Sequence, residues 1–282
     1  VVVAIPSPGI SFVPLALGQA RGIYAQEGLE VEITQMRTDL MIAGLTSGQV
    51  DYGTPLSTVV RAASAGAPVK LVMTILDRVS WDFVTRPEIV SIDDLRGRSI
   101  GITTRNGNIH LAARAVLQHY GITDHDVTYI SFPGSPDIYR AFSSGAVQAA
   151  VFTPPLSLRV RREGYRVVMD TSEVYNGAMQ GLATAMSKLE TELDEVERVI
   201  RATLRSIAYI REEPADAIAF IKEYTDEPPE LASELYEYLL RTMTISGEIS
   251  LKWVQDELAV LDELGVTPQI RDPEKLVDLR PW

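Results

Sequence analysis

The chain has 282 residues, 46% hydrophobic and 23% charged, a globular composition on a chain too long for one ordinary core, so about two domains are expected. No apolar run reaches the roughly 18 residues that a membrane-spanning helix needs, and the lack of cysteine excludes a disulfide scaffold, thiolate metal sites and a cysteine nucleophile. The net charge of −12 lies almost wholly after residue 187, where 22 acidic residues face 11 basic ones; this reads as solvated helix faces and argues against nucleic acid, whose phosphates need a basic surface.

Residues 1–5 (Val1-Val2-Val3-Ala4-Ile5) read as a strand. With no signal peptide ahead of it, the opening fits an exported protein whose signal has been removed. Residues 12–26 are helical with a weak point at Gly22, and 29–35 alternate as a half-buried strand does. A helix over 39–46 stops at Gly48; strand 50–53, helix 56–65 and the apolar strand 69–76 follow. This βαβα order predicts an α/β fold with mainly parallel sheet and helices on both faces.

The pattern then restarts. Ser91 to Asp94 has the form of a capping box. Strand 99–103, helix 110–120 ending at Gly121, strand 127–132, helix 136–143 ending at Gly145, strand 147–152 and a helix from Pro155 follow. Ser47-Gly48-Gln49-Val50-Asp51-Tyr52-Gly53-Thr54-Pro55 is echoed by 144–154, which also runs from helix end through a glycine stop and a buried strand to Thr153-Pro154. The same comparison pairs strand 1–5 with strand 99–103, which points to one topology used twice. After residue 187 the chain is nearly all helix: 190–213, one from Pro214, 231–242 and 251–264.

In a doubly wound sheet ligands lie beyond the carboxyl ends of the strands. The loops there are 6–12, 54–58, 104–110 and 153–156. Each leads into a helix, whose first N–H groups favour an anionic group. Ser7, Ser11, Thr54, Ser57 and Thr153 bring hydroxyls, either for a ligand or as plain helix caps. Arg105 can pair with an anion or stand as a surface arginine. Phe12, Trp81 and Phe152 are apolar walls or core. Asp77-Arg78 and Trp81-Asp82 are a hinge charge pair or ligand contacts.

No catalytic constellation emerges, so catalytic residues, metal ligands and cofactors are all expected to be none. His110, His119 and His125 are the only histidines, and no pair has metalloprotease spacing. There is no nucleophile elbow and no dinucleotide-binding glycine motif. Asp93-Asp94 is better explained by capping than by acid–base work.

Residues 12–31, from Phe12-Val13-Pro14-Leu15 through Ala20-Arg21-Gly22-Ile23-Tyr24 to Glu27-Gly28-Leu29-Glu30-Val31, resemble the opening of substrate-binding proteins of ABC importers, in the group for sulfonates, nitrate and thiamine pyrimidine precursors. Residues 47–53, Asp94-Leu95-Arg96-Gly97-Arg98-Ser99-Ile100-Gly101 and Ile210-Arg211-Glu212-Glu213-Pro214-Ala215-Asp216-Ala217 agree with it. The resemblance implies a two-lobed type II periplasmic-binding-protein fold. Lobe 1 would comprise 1–77 and 186–282 with the extra C-terminal helices, lobe 2 would comprise 78–185, and the ligand cleft would lie between them. It implies a monomeric extracytoplasmic receptor, periplasmic or membrane-anchored, that closes on a small ligand and delivers it to an ABC permease. The ligand set carried over is Ser11, Phe12, Thr54, Arg105, Asn108 and Thr153, with Ser7, Leu56, Ser57 and Trp81 beside them. Gln148 departs from the pattern, which has aspartate there as Asp51 does in the first copy. An enzyme on the same fold, like the pyrimidine synthases or menaquinone-pathway enzymes, and a ligand-sensing module are the alternatives. The synthase type is disfavoured by the absence of cysteine.

Overall fold

The computed structural model describes every residue except Ser7, Val79, Asn176, Ala178 and Met179, and every side chain but those of these residues and of Asp39 and Glu263. Its elements in chain order begin β1 (Val2–Ile5), α1 (Val13–Ala20), α2 (Ile23–Gln26), β2 (Glu32–Gln35), α3 (Thr38–Ser47), β3 (Tyr52–Pro55), α4 (Leu56–Ser64), β4 (Val69–Leu76) and β5 (Asp82–Thr85). Then come β6 (Ser99–Ile102), α5 (Asn108–His119), β7 (Thr128–Ser131), α6 (Ser135–Ser144), β8 (Ala149–Phe152), α7 (Leu156–Arg162), β9 (Arg166–Asp170) and β10 (Gln180–Ala185). The helical remainder is α8 (Met186–Thr191), α9 (Leu193–Glu212), α10 (Pro214–Thr225), α11 (Pro229–Thr242) and α12 (Leu251–Glu263). The expected long first helix is two helices, because the chain turns at Gly22, whose φ is 68°.

The chain forms two compact units, one of Val1–Arg78 with Ala178–Trp282 and one of Val79–Gly177. The first holds a sheet of order β2-β1-β3-β10-β4 and the second a sheet of order β7-β6-β8-β5-β9. In the first, β1 runs parallel to β2 and β3, and β10 runs antiparallel to β3 and β4. In the second, β6 runs parallel to β7 and β8, and β5 runs antiparallel to β8 and β9. Each sheet is therefore parallel except for one strand, the one that enters from the other part of the chain. The return to the first unit comes earlier than residue 186, because β10 already pairs between β3 and β4. At Gly181 of β10 an added Cβ would run into the carbonyl of Met73 on β4, so a side chain cannot enter there without parting the strands.

The repeated motif has the same build in both units. Gly48 ends α3 and Gly145 ends α6, with φ of 73° and 84°, a left-handed C-cap that glycine takes without a Cβ clash. In the first unit Asp51 Oδ2 accepts the Val2 N–H at 2.7 Å. In the second, Gln148 Oε1 accepts the Ser99 N–H at 3.1 Å, and Gln148 Nε2 donates to the Gly145 carbonyl at 2.9 Å. Asp51 also pairs at 2.9 Å with Lys188, which is nearly buried and further held by Glu192 and Glu195. The glutamine fills the aspartate's place as the acceptor that starts the strand.

The core of the first unit packs α4 and α12 on the sheet, with Leu56, Val60, Leu71, Trp253, Val254 and Leu258 all buried. Helix α9 shows Val196, Val199, Ile200, Ile207 and Ile210 on its inward face, and its spacing is the period that the sequence carries. The capping box at Ser91 is formed, with the Asp94 carboxylate accepting the Ser91 N–H at 2.8 Å.

Candidate ligand-binding site

In the first unit, β1 leads through a 3-10 turn (Ile10–Phe12) into α1, and β3 leads directly into α4. Ser11 is half-buried and Phe12 is buried. The Tyr224 hydroxyl, on α10, is hydrogen-bonded to the Gly9 backbone and so ties the loop to the helical layer. Thr54 is fully buried, and its Oγ1 donates to the Ala4 carbonyl of the neighbouring strand at 3.1 Å. Leu56 belongs to the core. The Ser57 hydroxyl is hydrogen-bonded to the Glu257 carboxyl of α12, so it faces the helix layer. Ser7 lies outside the described residues.

In the second unit the carboxyl ends of β6, β8 and β9 share one sheet edge with the start of the antiparallel β5. Trp81 precedes β5, and its carbonyl accepts the Thr171 N–H at 2.8 Å, just past β9. Tyr175 follows on the same connection. Its ring lies 6.4 Å from that of Trp81, and its hydroxyl donates to Asn108 Oδ1 at 3.3 Å. Asn108 opens α5 and Thr153 follows β8; both are half-buried. The edge thus gathers two nearly buried aromatic rings, an amide and a threonine, residue types suited to a flat ring with a polar rim. Tyr175 was missed in the sequence because β9 carries no turn signal that brings residues 171–175 to this edge.

Arg105 is exposed and its guanidinium stands 5.8 Å from the centre of the Tyr129 ring. His110 is buried, and its Nδ1 accepts the Asn106 N–H at 2.9 Å. Burial lowers the histidine's pKa, with Arg105 and Arg114 adding to the effect and Asp124 opposing it. Phe152 is core, packed on Phe142 and Tyr139. Asp77 is paired with its neighbour Arg78 at 3.0 Å. Asp82 is buried against Arg161 Nη2 at 2.6 Å; burial raises its pKa while Arg161 pulls it down.

The helices that follow the four loops have no side-chain N-cap among the described residues. Side-chain caps occur instead at Ser91, Asp170, Ser250 and Asp272. The hydroxyls of Thr54 and Thr153 are thus not capping residues. Among the described residues no group of three histidine or carboxylate side chains is placed to hold a metal ion, and no helix is long and apolar enough to cross a membrane.

Riboflavin-binding protein RibY of Chloroflexus aurantiacus is 29% identical over 269 residues, 92% of this chain and 74% of that protein. The periplasmic aliphatic sulphonate binding protein SsuA of Escherichia coli superposes with a TM-score of 0.78 at 18% identity, over 98% of this chain and 91% of that one. SsuA of Xanthomonas axonopodis pv. citri, solved bound to MOPS, superposes with a TM-score of 0.75 at 15% identity, over 98% and 94%. These likenesses establish the periplasmic-binding-protein fold. Residues 10–217 match the family model described as NMT1/THI5 like, and the chain belongs to that family.

Proposed function

We propose that this protein is an extracytoplasmic solute receptor for an ABC importer, binding one small organic molecule with loops at the carboxyl ends of its strands. The liganded form is presented to the permease. The observation that carries this reading is the similarity to RibY along 92% of the chain. The Trp81–Tyr175–Asn108 cluster suits the same ligand class, a heteroaromatic ring with polar edges. Riboflavin is therefore the first compound to test, and organic sulfonates, by likeness to the SsuA proteins, the second.

The protein acts as a binder rather than a catalyst in this reading. The one buried histidine beside the loops uses its Nδ1 to hold a backbone amide, and the buried carboxyl of Asp82 is paired with Arg161.

Thermal unfolding with riboflavin, MOPS and a thiamine pyrimidine precursor tests the proposal. A true ligand at a hundred times its Kd adds about 2.7 kcal/mol of stability, a rise in Tm of a few degrees. If none of these compounds shifts Tm or is retained in native mass spectrometry, the receptor reading for this ligand class is overturned.

A further inference from the structure

We propose that His110 is a positioning residue for the Arg105 loop: its neutral imidazole holds the turn over residues 104–107, and a proton placed on that ring lets the turn go. The inference rests on the receptor reading above only in assigning that turn to the ligand site.

The turn is closed by the Gly107 N–H donating to the Thr104 carbonyl at 3.0 Å. Arg105 and Asn106 are its corner residues. Asn106 has a φ of 60°, the left-handed value that the third position of a type II turn requires and that asparagine tolerates better than most residues. The Asn106 N–H is received by His110 Nδ1 at 2.9 Å, from the first turns of α5. A ring nitrogen accepts only while unprotonated, so this bond places the imidazole proton on Nε2. A second proton would set an N–H on Nδ1 against the N–H of Asn106, and two donors cannot share that position.

A second contact ties the same ring to Arg105. His110 meets the Tyr129 ring edge-on at 4.4 Å, and the Arg105 guanidinium stands 5.8 Å from that ring's centre. The charged and titratable groups around the imidazole are Arg105, Arg114 on α5, Asp124 ahead of β7 and Tyr129 on β7. Asp124 is engaged by Arg114 Nε at 3.2 Å and by the Tyr129 hydroxyl at 3.1 Å. Strand β8, packed on α5, is Ala149-Ala150-Val151-Phe152 and brings no charge. Glu173 of the short 3-10 helix beside α5 is exposed. Among the described residues Nε2 of His110 has no hydrogen-bond partner, so no carboxylate bonded to the ring favours the charged form. Burial holds the ring neutral below the ordinary histidine value of 6.5, which places the release on the acid side of neutrality.

The test is amide hydrogen exchange on the full chain, expressed as protection factors so that intrinsic exchange cancels, at pH about 8 and about 5. Protection of the Asn106 amide should fall roughly tenfold at the lower pH, the loss of one hydrogen bond. His110→Asn keeps an acceptor in the position of Nδ1 but cannot be protonated, so its Asn106 protection should be the same at both pH values. Equal protection of the wild-type amide at both pH values, or an equal fall in His110→Asn, would overturn the proposal. Riboflavin affinity in the same two proteins adds a functional readout: it should weaken with acid in the wild type and hold level in His110→Asn. If riboflavin binds neither protein, the flavin reading fails and the amide data alone decide the role of His110.

Discussion

Gln148 and Asp51 do the same job with different chemistry. Each accepts the N–H that begins the first strand of its unit. The aspartate needs a cation, and Lys188 supplies it; the glutamine is neutral and uses its second group on the Gly145 carbonyl. Gln148→Ala should therefore lower stability by about 1–2 kcal/mol, since it leaves two backbone groups short of a partner. Urea unfolding at neutral pH measures this, and an unchanged midpoint would mean that the glutamine is incidental. At this scale the sequence does not say which way each loop side chain turns. Ser57 sits two residues beyond Pro55 and looks like its loop neighbours in the sequence, yet the helical turn of α4 directs it to Glu257. Tyr175 could be placed beside Asn108 only by knowing where β9 ends.

At the scale of elements, the helices and most of the parallel strands were legible because each carries its own period and its own stop. The strands β5, β9 and β10 were not read. The residues of β10, Gln180-Gly181-Leu182-Ala183-Thr184-Ala185, are small and lack the β-branched alternation that marks a strand. Its place is decided by its neighbours, β3 and β4, and by the close approach at Gly181. The contact of α4 with α12 has a property that no sequence pattern announces. Glu257 is buried there, and burial pushes its carboxyl up to about 7, with Arg61 and Ser57 opposing. Its folded value lies above the ordinary 4.5, so the folded state holds the extra proton, and stability falls as pH rises from about 4.5 through about 7. Glu257→Gln should remove that slope and raise stability at pH about 8 by up to about 3 kcal/mol. Parallel unfolding curves of the two proteins at each pH would contradict this.

At the scale of the whole molecule, one sheet topology is used twice. Each unit builds the order second, first, third, entering strand, fourth from its own segments. The echo of residues 47–55 in 144–154 is the trace of this in the sequence. The crossing back at β10 came later in the reading than in the chain because that strand gives no signal of its own. Ser11, Asn108, Trp81 and Tyr175, the candidate ligand contacts, lie in connections that strand periods do not govern. The most direct measurement is a calorimetric titration of the wild-type chain, Ser11→Ala and Asn108→Ala with riboflavin. One saturable site per chain is predicted, with Kd raised about fivefold by either substitution. No saturable binding of riboflavin, or binding that neither substitution weakens, would contradict it.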